Sequence, residues 1–289
     1  MNALPAALPD DSPPAGTSRA GRNVPLAIGV GVGMGAAVLA SLYVYRPVFV
    51  GFVAAAAAYG CYELTNVLRT AAHRRVPLAP LMIGAVASYI AAYQRGTAAL
   101  AVGVLLTTIA VVAWLLLEGG PRAAVPPDLS AALWVLCYVV LLAGFAVLMV
   151  APDDGHRRVT CYVATVVCSD VGGFATGVLF GRHPMAPTVS PKKSWEGFIG
   201  SVVACAVAGT LLVGLLLHGA LWQGLVFGLA IACCATLGDL AESLVKRDLG
   251  VKDMGTLLPG HGGIMDRLDS LLLSAPVAYL LLTAFVSPG

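Results

Sequence analysis

The sequence predicts an all-α, polytopic membrane helical bundle of about nine transmembrane helices, with a cytoplasm-facing catalytic site in its C-terminal half. Of its 289 residues 58% are hydrophobic and only 11% are charged, and the mean hydropathy is +0.87. A soluble domain carries charge on about a quarter of its residues, so this composition excludes one. Nine apolar runs approach the length of about 20 residues that spans a bilayer. Polar, charged and glycine-rich segments, by contrast, concentrate in the loops after residue 150.

In chain order, residues 1–23 form a Pro- and Ser-containing tail without helical periodicity, expected to be flexible. It is not expected to be a secretory signal. Its first apolar run begins late and is long enough to span, so the chain is expected to remain uncleaved. Spans are then expected near 24–45, 48–66, 77–94 and 97–117. Others follow near 131–150, 159–180, 197–218, 221–238 and 268–286. By content, residues 24–150 form a transmembrane scaffold and 151–289 a transmembrane catalytic region. The scaffold is rich in small and aliphatic residues, and its alanines at 54–58 favour close helix packing. Glu63 is its exception, an acid near the end of a span where it is placed to snorkel or cap. No repeat relates the two halves, which weighs against an inverted-repeat transporter.

Orientation follows from the cations. With the N-terminus inside, thirteen of the 17 Lys and Arg residues fall on the inner side, leaving Arg46, Arg95, Arg157 and Arg158 outside. Both polar loops of the C-terminal half then face the cytoplasm. All seven cysteines lie in apolar runs without a CxxC pair, and read as packing residues.

Three polar features carry chemistry. Asp170 is embedded in an apolar span and is followed by Gly172 and Gly173, which admit close approach of a backbone or ligand. The loop GRHPMAPTVSPKKSWEG (181–197) joins Lys192 and Lys193 to an interfacial Trp195 and reads as a phosphate-binding loop. The segment 239–269 then places Asp239, Glu242, Ser243 and Lys246 at i, i+3, i+4 and i+7, one face of a helix. Asp266 and Asp269 repeat the i, i+3 spacing after the PGHGG turn. Hard divalent cations take oxygen ligands and bring phosphates with them, and Lys246, Arg247, Lys252 and Arg267 supply countercharge for a polyphosphate. Backbone N–H groups of Gly262 and Gly263, before the last span, are placed to meet an anion, and His261 either contacts phosphate or fixes the turn.

The string SLVKRDLGVKDMGTLLPGHGGIMDRLD (243–269) resembles the signature of phosphatidate cytidylyltransferases, the CDP-diacylglycerol synthases. The agreement covers Ser-x-x-Lys-Arg, Lys252-Asp253, Pro-Gly-His-Gly-Gly and Asp-Arg-x-Asp with their spacing, and SPKKSWEG (190–197) resembles the family's lysine-rich loop. The resemblance extends over about 170–270. Asp170 departs from it locally, being followed by Val-Gly-Gly-Phe rather than an Ala-Tyr pair.

The resemblance implies transfer of the cytidylyl group of CTP to phosphatidic acid, giving CDP-diacylglycerol and pyrophosphate for phospholipid biosynthesis. It further implies Mg2+ with room for a second cation, a plasma or inner membrane location and a homodimer; no nucleic acid partner is expected. On that basis Asp239 and Asp266 are expected as magnesium ligands, with Asp170 and Asp269 as further ligands or their supports. Lys252 and His261 are expected in catalysis. Lys192, Lys193, Ser243, Lys246, Arg247, Gly262, Gly263 and Arg267 are expected to bind substrate. No protein nucleophile is required, because an ionised phosphate monoester attacks directly. The alternatives are a CTP-dependent lipid kinase and, from another class, a cation transporter using the intramembrane acids.

Overall fold

A computed structural model describes residues 24–119, 125–255 and 262–286, with side chains from Gly33 onward except Met34. The tail 1–23 and His261 lie outside the described residues. Among the described residues, nine helices cover the nine apolar runs: α1 (Val24–Val44), α2 (Arg46–Ala71), α3 (Leu78–Arg95), α4 (Thr97–Glu118), α5 (Val125–Val150), α6 (Gly155–Phe180), α7 (Trp195–Leu217), α8 (Leu221–Asp248) and α9 (Met265–Phe285). Seven of them, α2 and α4 through α9, are long and apolar enough to cross a membrane. The chain is therefore a multi-pass membrane protein. α3 has 18 residues and ends on Gln94 and Arg95, which dilute its apolar content.

The expected loop 181–197 contains regular structure. Strands β1 (Pro184–Ala186) and β2 (Ser190–Ser194) pair antiparallel, with Pro184 opposite Ser194 and Ala186 opposite Ser190. Both strands are edges, so their prolines forfeit no ladder partner on a third strand.

Small residues set the helix spacing. A Cβ at Gly172 or Gly200 would collide with the facing helix, so α6 and α7 meet almost backbone to backbone, and Ser201 on α7 donates to the Ser169 carbonyl on α6 at 2.7 Å. Apolar side chains on α4, α6 and α7, among them Leu106, Phe174 and Leu211, face outward, as a lipid-immersed bundle requires. Within α5, residues 136–141 widen into a π-helical turn. The buried Tyr89 hydroxyl of α3 donates to the Val140 carbonyl there at 2.9 Å.

One buried cation closes the end of the bundle opposite the polar loops. Arg158, 3% exposed, pairs with Asp154 at 2.8 Å and donates to the carbonyls of Leu282 (2.9 Å) and Val286 (3.0 Å) at the end of α9. The Leu282 carbonyl also accepts from the Val286 N–H at 3.1 Å, and the guanidinium fills the acceptor capacity left at this helix end. Arg158→Ala removes the donor and strands the half of the pair left behind, an expected loss of about 3 kcal/mol. Thermal unfolding in detergent reads this, and an unchanged midpoint would refute the role.

Candidate active site

The site forms where the C-terminal ends of α6 and α8 meet the N-terminal end of α9 beneath the β-hairpin. A cavity of about 430 Å³ is lined there by Asp170 of α6, Lys192 and Lys193 of β2, Asp239 of α8, and Asp266, Arg267 and Asp269 of α9. That volume is within the range of small-molecule sites. Ser169, Ser201 and Thr236 add hydroxyls, while Phe174, Met185 and Phe198 supply an apolar wall.

Local structure aims each group. Ser194 ends β2 in extended backbone and caps α7, its Oγ accepting from Gly197 N at 3.1 Å. Glu196, two residues on, accepts from the backbone N–H groups of Arg182 (3.1 Å) and His183 (3.2 Å) and lies 2.6 Å from His183 Nδ1. The hairpin is thus clamped at its base, and Trp195 between these residues is 52% exposed, in keeping with an interfacial indole. Lys193 reaches across from this clamped hairpin to Asp239, with 2.5 Å between Nζ and Oδ2. Gly238 brings α8 against the Asp269 carbonyl of α9, where any Cβ would collide. Asp239 and Asp269, one on each helix, consequently face the same cavity, which Asp170 also lines, in electrostatic range of both.

Asp266 is differently engaged. Its Oδ1 receives Lys246 Nζ at 2.8 Å, and its Oδ2 receives Gly263 N at 2.7 Å and Met254 N at 3.1 Å. It therefore lines the cavity while tying the 249–264 connection to the start of α9. Lys246 also lies 3.2 Å from the buried Glu242, one turn earlier on α8. A Cβ at Gly262, whose φ is +79°, would strike Asp266 Oδ2, so the turn needs glycine there on both counts.

Of the residues expected from sequence, Asp170, Lys192, Lys193, Asp239, Asp266, Arg267 and Asp269 line one cavity. Lys246 and Gly263 stand behind it through Asp266. Ser243, Lys252, Arg247 and Gly262 are not among the lining residues. Arg247 instead donates to the Val189 carbonyl at the hairpin turn, at 3.3 Å. Glu63 and Tyr138, which are not among the expected site residues, lie behind the cavity without lining it. The Tyr138 hydroxyl, on the π-helical turn of α5, lies in electrostatic range of Glu242, Asp269 and Asp239. Nothing in the sequence announces a π turn. An acid isolated in an apolar run is the signal that marks Glu63.

Among the described residues no group of three or more His, Cys, Asp or Glu side chains is closed around a metal position. The carboxylates of Asp170, Asp239 and Asp269 nonetheless give one cavity an excess of hard oxygen donors, the chemistry magnesium requires.

Comparison with known proteins bears on this arrangement. The Mycobacterium leprae protein named phosphatidate cytidylyltransferase is 43% identical over 92% of this chain and 90% of its own length. The Mycobacterium tuberculosis H37Rv protein of that name is 40% identical over 96% of this chain and 88% of its own. The Helicobacter pylori 26695 protein of that name is 44% identical over 45% of this chain and 49% of its own. The model of the cytidylyltransferase family matches residues 26–285, almost the whole described chain. This protein therefore belongs to the cytidylyltransferase family.

Proposed function

We propose that this membrane enzyme transfers the cytidylyl group of CTP to phosphatidic acid, forming CDP-diacylglycerol and releasing pyrophosphate. The observation that carries the proposal is the single cavity in which three carboxylates, Asp170, Asp239 and Asp269, face Lys192, Lys193 and Arg267. An oxygen of the lipid phosphate bonds to the α-phosphorus of CTP, and the bond from that phosphorus to the α,β-bridging oxygen breaks. Two anions must be brought together and charge neutralised as it grows on the departing pyrophosphate. Lys192 and Arg267 line the cavity, and their charge suits phosphate contact. Lys193 is held on a clamped hairpin, within reach of either Asp239 or a phosphate. The apolar wall at Phe174 and Phe198 admits the lipid side of the acceptor next to the polar floor.

Mg2+ is the cation that hard oxygen donors suit, and Asp170, Asp239 and Asp269 would have to draw together to hold it, while Asp266, expected as a ligand, is instead taken up by Lys246, Gly263 and Met254 in the turn. Bound there, the cation supplies charge neutralisation at the phosphates, and a second cation is compatible with three acids. The distribution of Lys and Arg supports a cytoplasmic site, where CTP is available, in the plasma or inner membrane. Family resemblance supports a homodimer.

The test uses purified protein in phosphatidate-containing micelles with magnesium and CTP labelled at either the α or the γ phosphorus. Label from the α position in extracted lipid, with stoichiometric pyrophosphate, is the expected result. Label from the γ position in lipid would instead identify a lipid kinase. Neither label in lipid from folded protein would refute the transferase reading.

A further inference from the structure

We infer that Glu63, in the otherwise bland N-terminal half, is a positioning residue for the reaction, setting the glycine turn that starts α9. Its carboxylate is 3% exposed and is carried by α2 into the far half of the chain. Oε2 accepts from the Met265 N–H at 2.9 Å, one of the α9 N-terminal donors that have no partner inside the helix. A Cβ on either Gly255 or Gly263 would collide with the same carboxylate, so two separate points of the connection pack directly on it. One turn earlier on α2, Gly60 leaves the space that the Met265 side chain fills. Gly60 and Glu63 together form a seat for Met265, the residue immediately before Asp266.

The same turn holds the groups of the site. Gly263, pressed on Glu63, donates its N–H to Asp266 Oδ2 at 2.7 Å, and Met254, beside Gly255, donates to Asp266 as well. Asp266 in turn holds Lys246 at 2.8 Å. Arg267 and Asp269 follow within the first turns of α9 and line the cavity. Displacing Met265 therefore moves Asp266, Arg267 and Asp269 together, although Glu63 does not itself line the cavity. Oε1 of Glu63 has no hydrogen-bond partner among the described residues. Burial of an acid in this way is costly unless the geometry it enforces is used.

This inference rests on the transferase reading, which the wild-type α-label assay tests separately. A misplacement of a fraction of an ångström at a reacting centre costs roughly 10- to 30-fold in rate, and 1 Å about 10²-fold. Glu63→Ala is accordingly expected to lower kcat by about 10- to 30-fold, with KM for CTP changed by less than about 3-fold. Amide exchange at Gly263–Met265 should rise in the same protein without substrate. Glu63→Gln keeps a carbonyl oxygen for the Met265 N–H and should retain at least about a third of wild-type kcat. Gly255→Ala leaves the carboxylate in place but pushes on it, and should reproduce the kcat loss even where Glu63→Ala does not fold. A kcat in folded Glu63→Ala or Gly255→Ala equal to wild type would overturn the inference. So would a loss in Glu63→Gln as deep as that in Glu63→Ala, since charge rather than the hydrogen bond would then be responsible.

Discussion

Asp239→Asn is expected to lower incorporation of α-label from CTP into lipid by about 10³-fold, the upper range for removing one preorganised electrostatic group. Asparagine keeps the volume and one oxygen, so the cavity and the α8–α9 contact at Gly238 survive. What is lost is the negative charge that Lys193 meets at 2.5 Å and that a divalent cation would require. The effect should fall on kcat, because charge develops on the leaving pyrophosphate only as the bond breaks. Lys193→Met should also impair transfer, by about 10²-fold. The double variant should lose far less than the product of the two, since groups in contact do not act independently. Asp153→Asn is the control, because Asp153 sits on the turn before α6, in an exposed contact with Arg46 at 3.4 Å. Kinetics of all four proteins, each compared at equal folded fraction, would check this; full activity in Asp239→Asn would remove Asp239 from the site.

Much of this architecture was legible in the sequence because lipid imposes a simple rule. Backbone polar groups must be satisfied internally, so each long apolar run becomes a helix, and the nine runs do. The acids and cations at 170, 192, 193, 239, 266, 267 and 269 were legible for the converse reason. A charge beside a membrane span is expensive without a partner, so its presence marks a site. Contacts between distant parts of the chain were not legible. Glu63 meets Met265 across about 200 residues, and a spacing rule reaches only a turn or two of helix. The role of Asp266 was half visible. Its i, i+3 relation to Asp269 placed both on one side of α9, but the three N–H and ammonium donors that occupy it come from Met254, Gly263 and Lys246. Arg247 is a different case. Its charge suits a polyphosphate, yet neighbours on a helix point about 100° apart, and Arg247 donates to the hairpin turn while Lys246 meets Asp266. The hairpin itself was obscured by its prolines, which ordinarily argue against a strand.

Lys246→Met should be the most damaging single change outside the cavity lining, acting on stability and on turnover together. The ammonium lies 2.8 Å from Asp266 Oδ1 and 3.2 Å from Glu242 Oε2, with Glu242 1% exposed and Asp266 9% exposed. Methionine matches the length of the stem but leaves two buried carboxylates side by side without their shared cation. Breaking a buried pair in this way costs about 4 kcal/mol, because the remaining charges stay desolvated. Asp266 would also be driven from the turn it ties, so kcat should fall by about 10²-fold in whatever protein remains folded. Adding Glu242→Gln removes one of the two stranded charges while keeping its volume. The double variant should therefore recover part of the lost thermal stability, without recovering turnover to the same extent, because Asp266 still lacks its ammonium partner. Melting in detergent and single-turnover label transfer on the single and double variants separate the two effects. A double variant no more stable than Lys246→Met would show that Glu242 does not share the lysine, and the ion-pair account of this corner would fail.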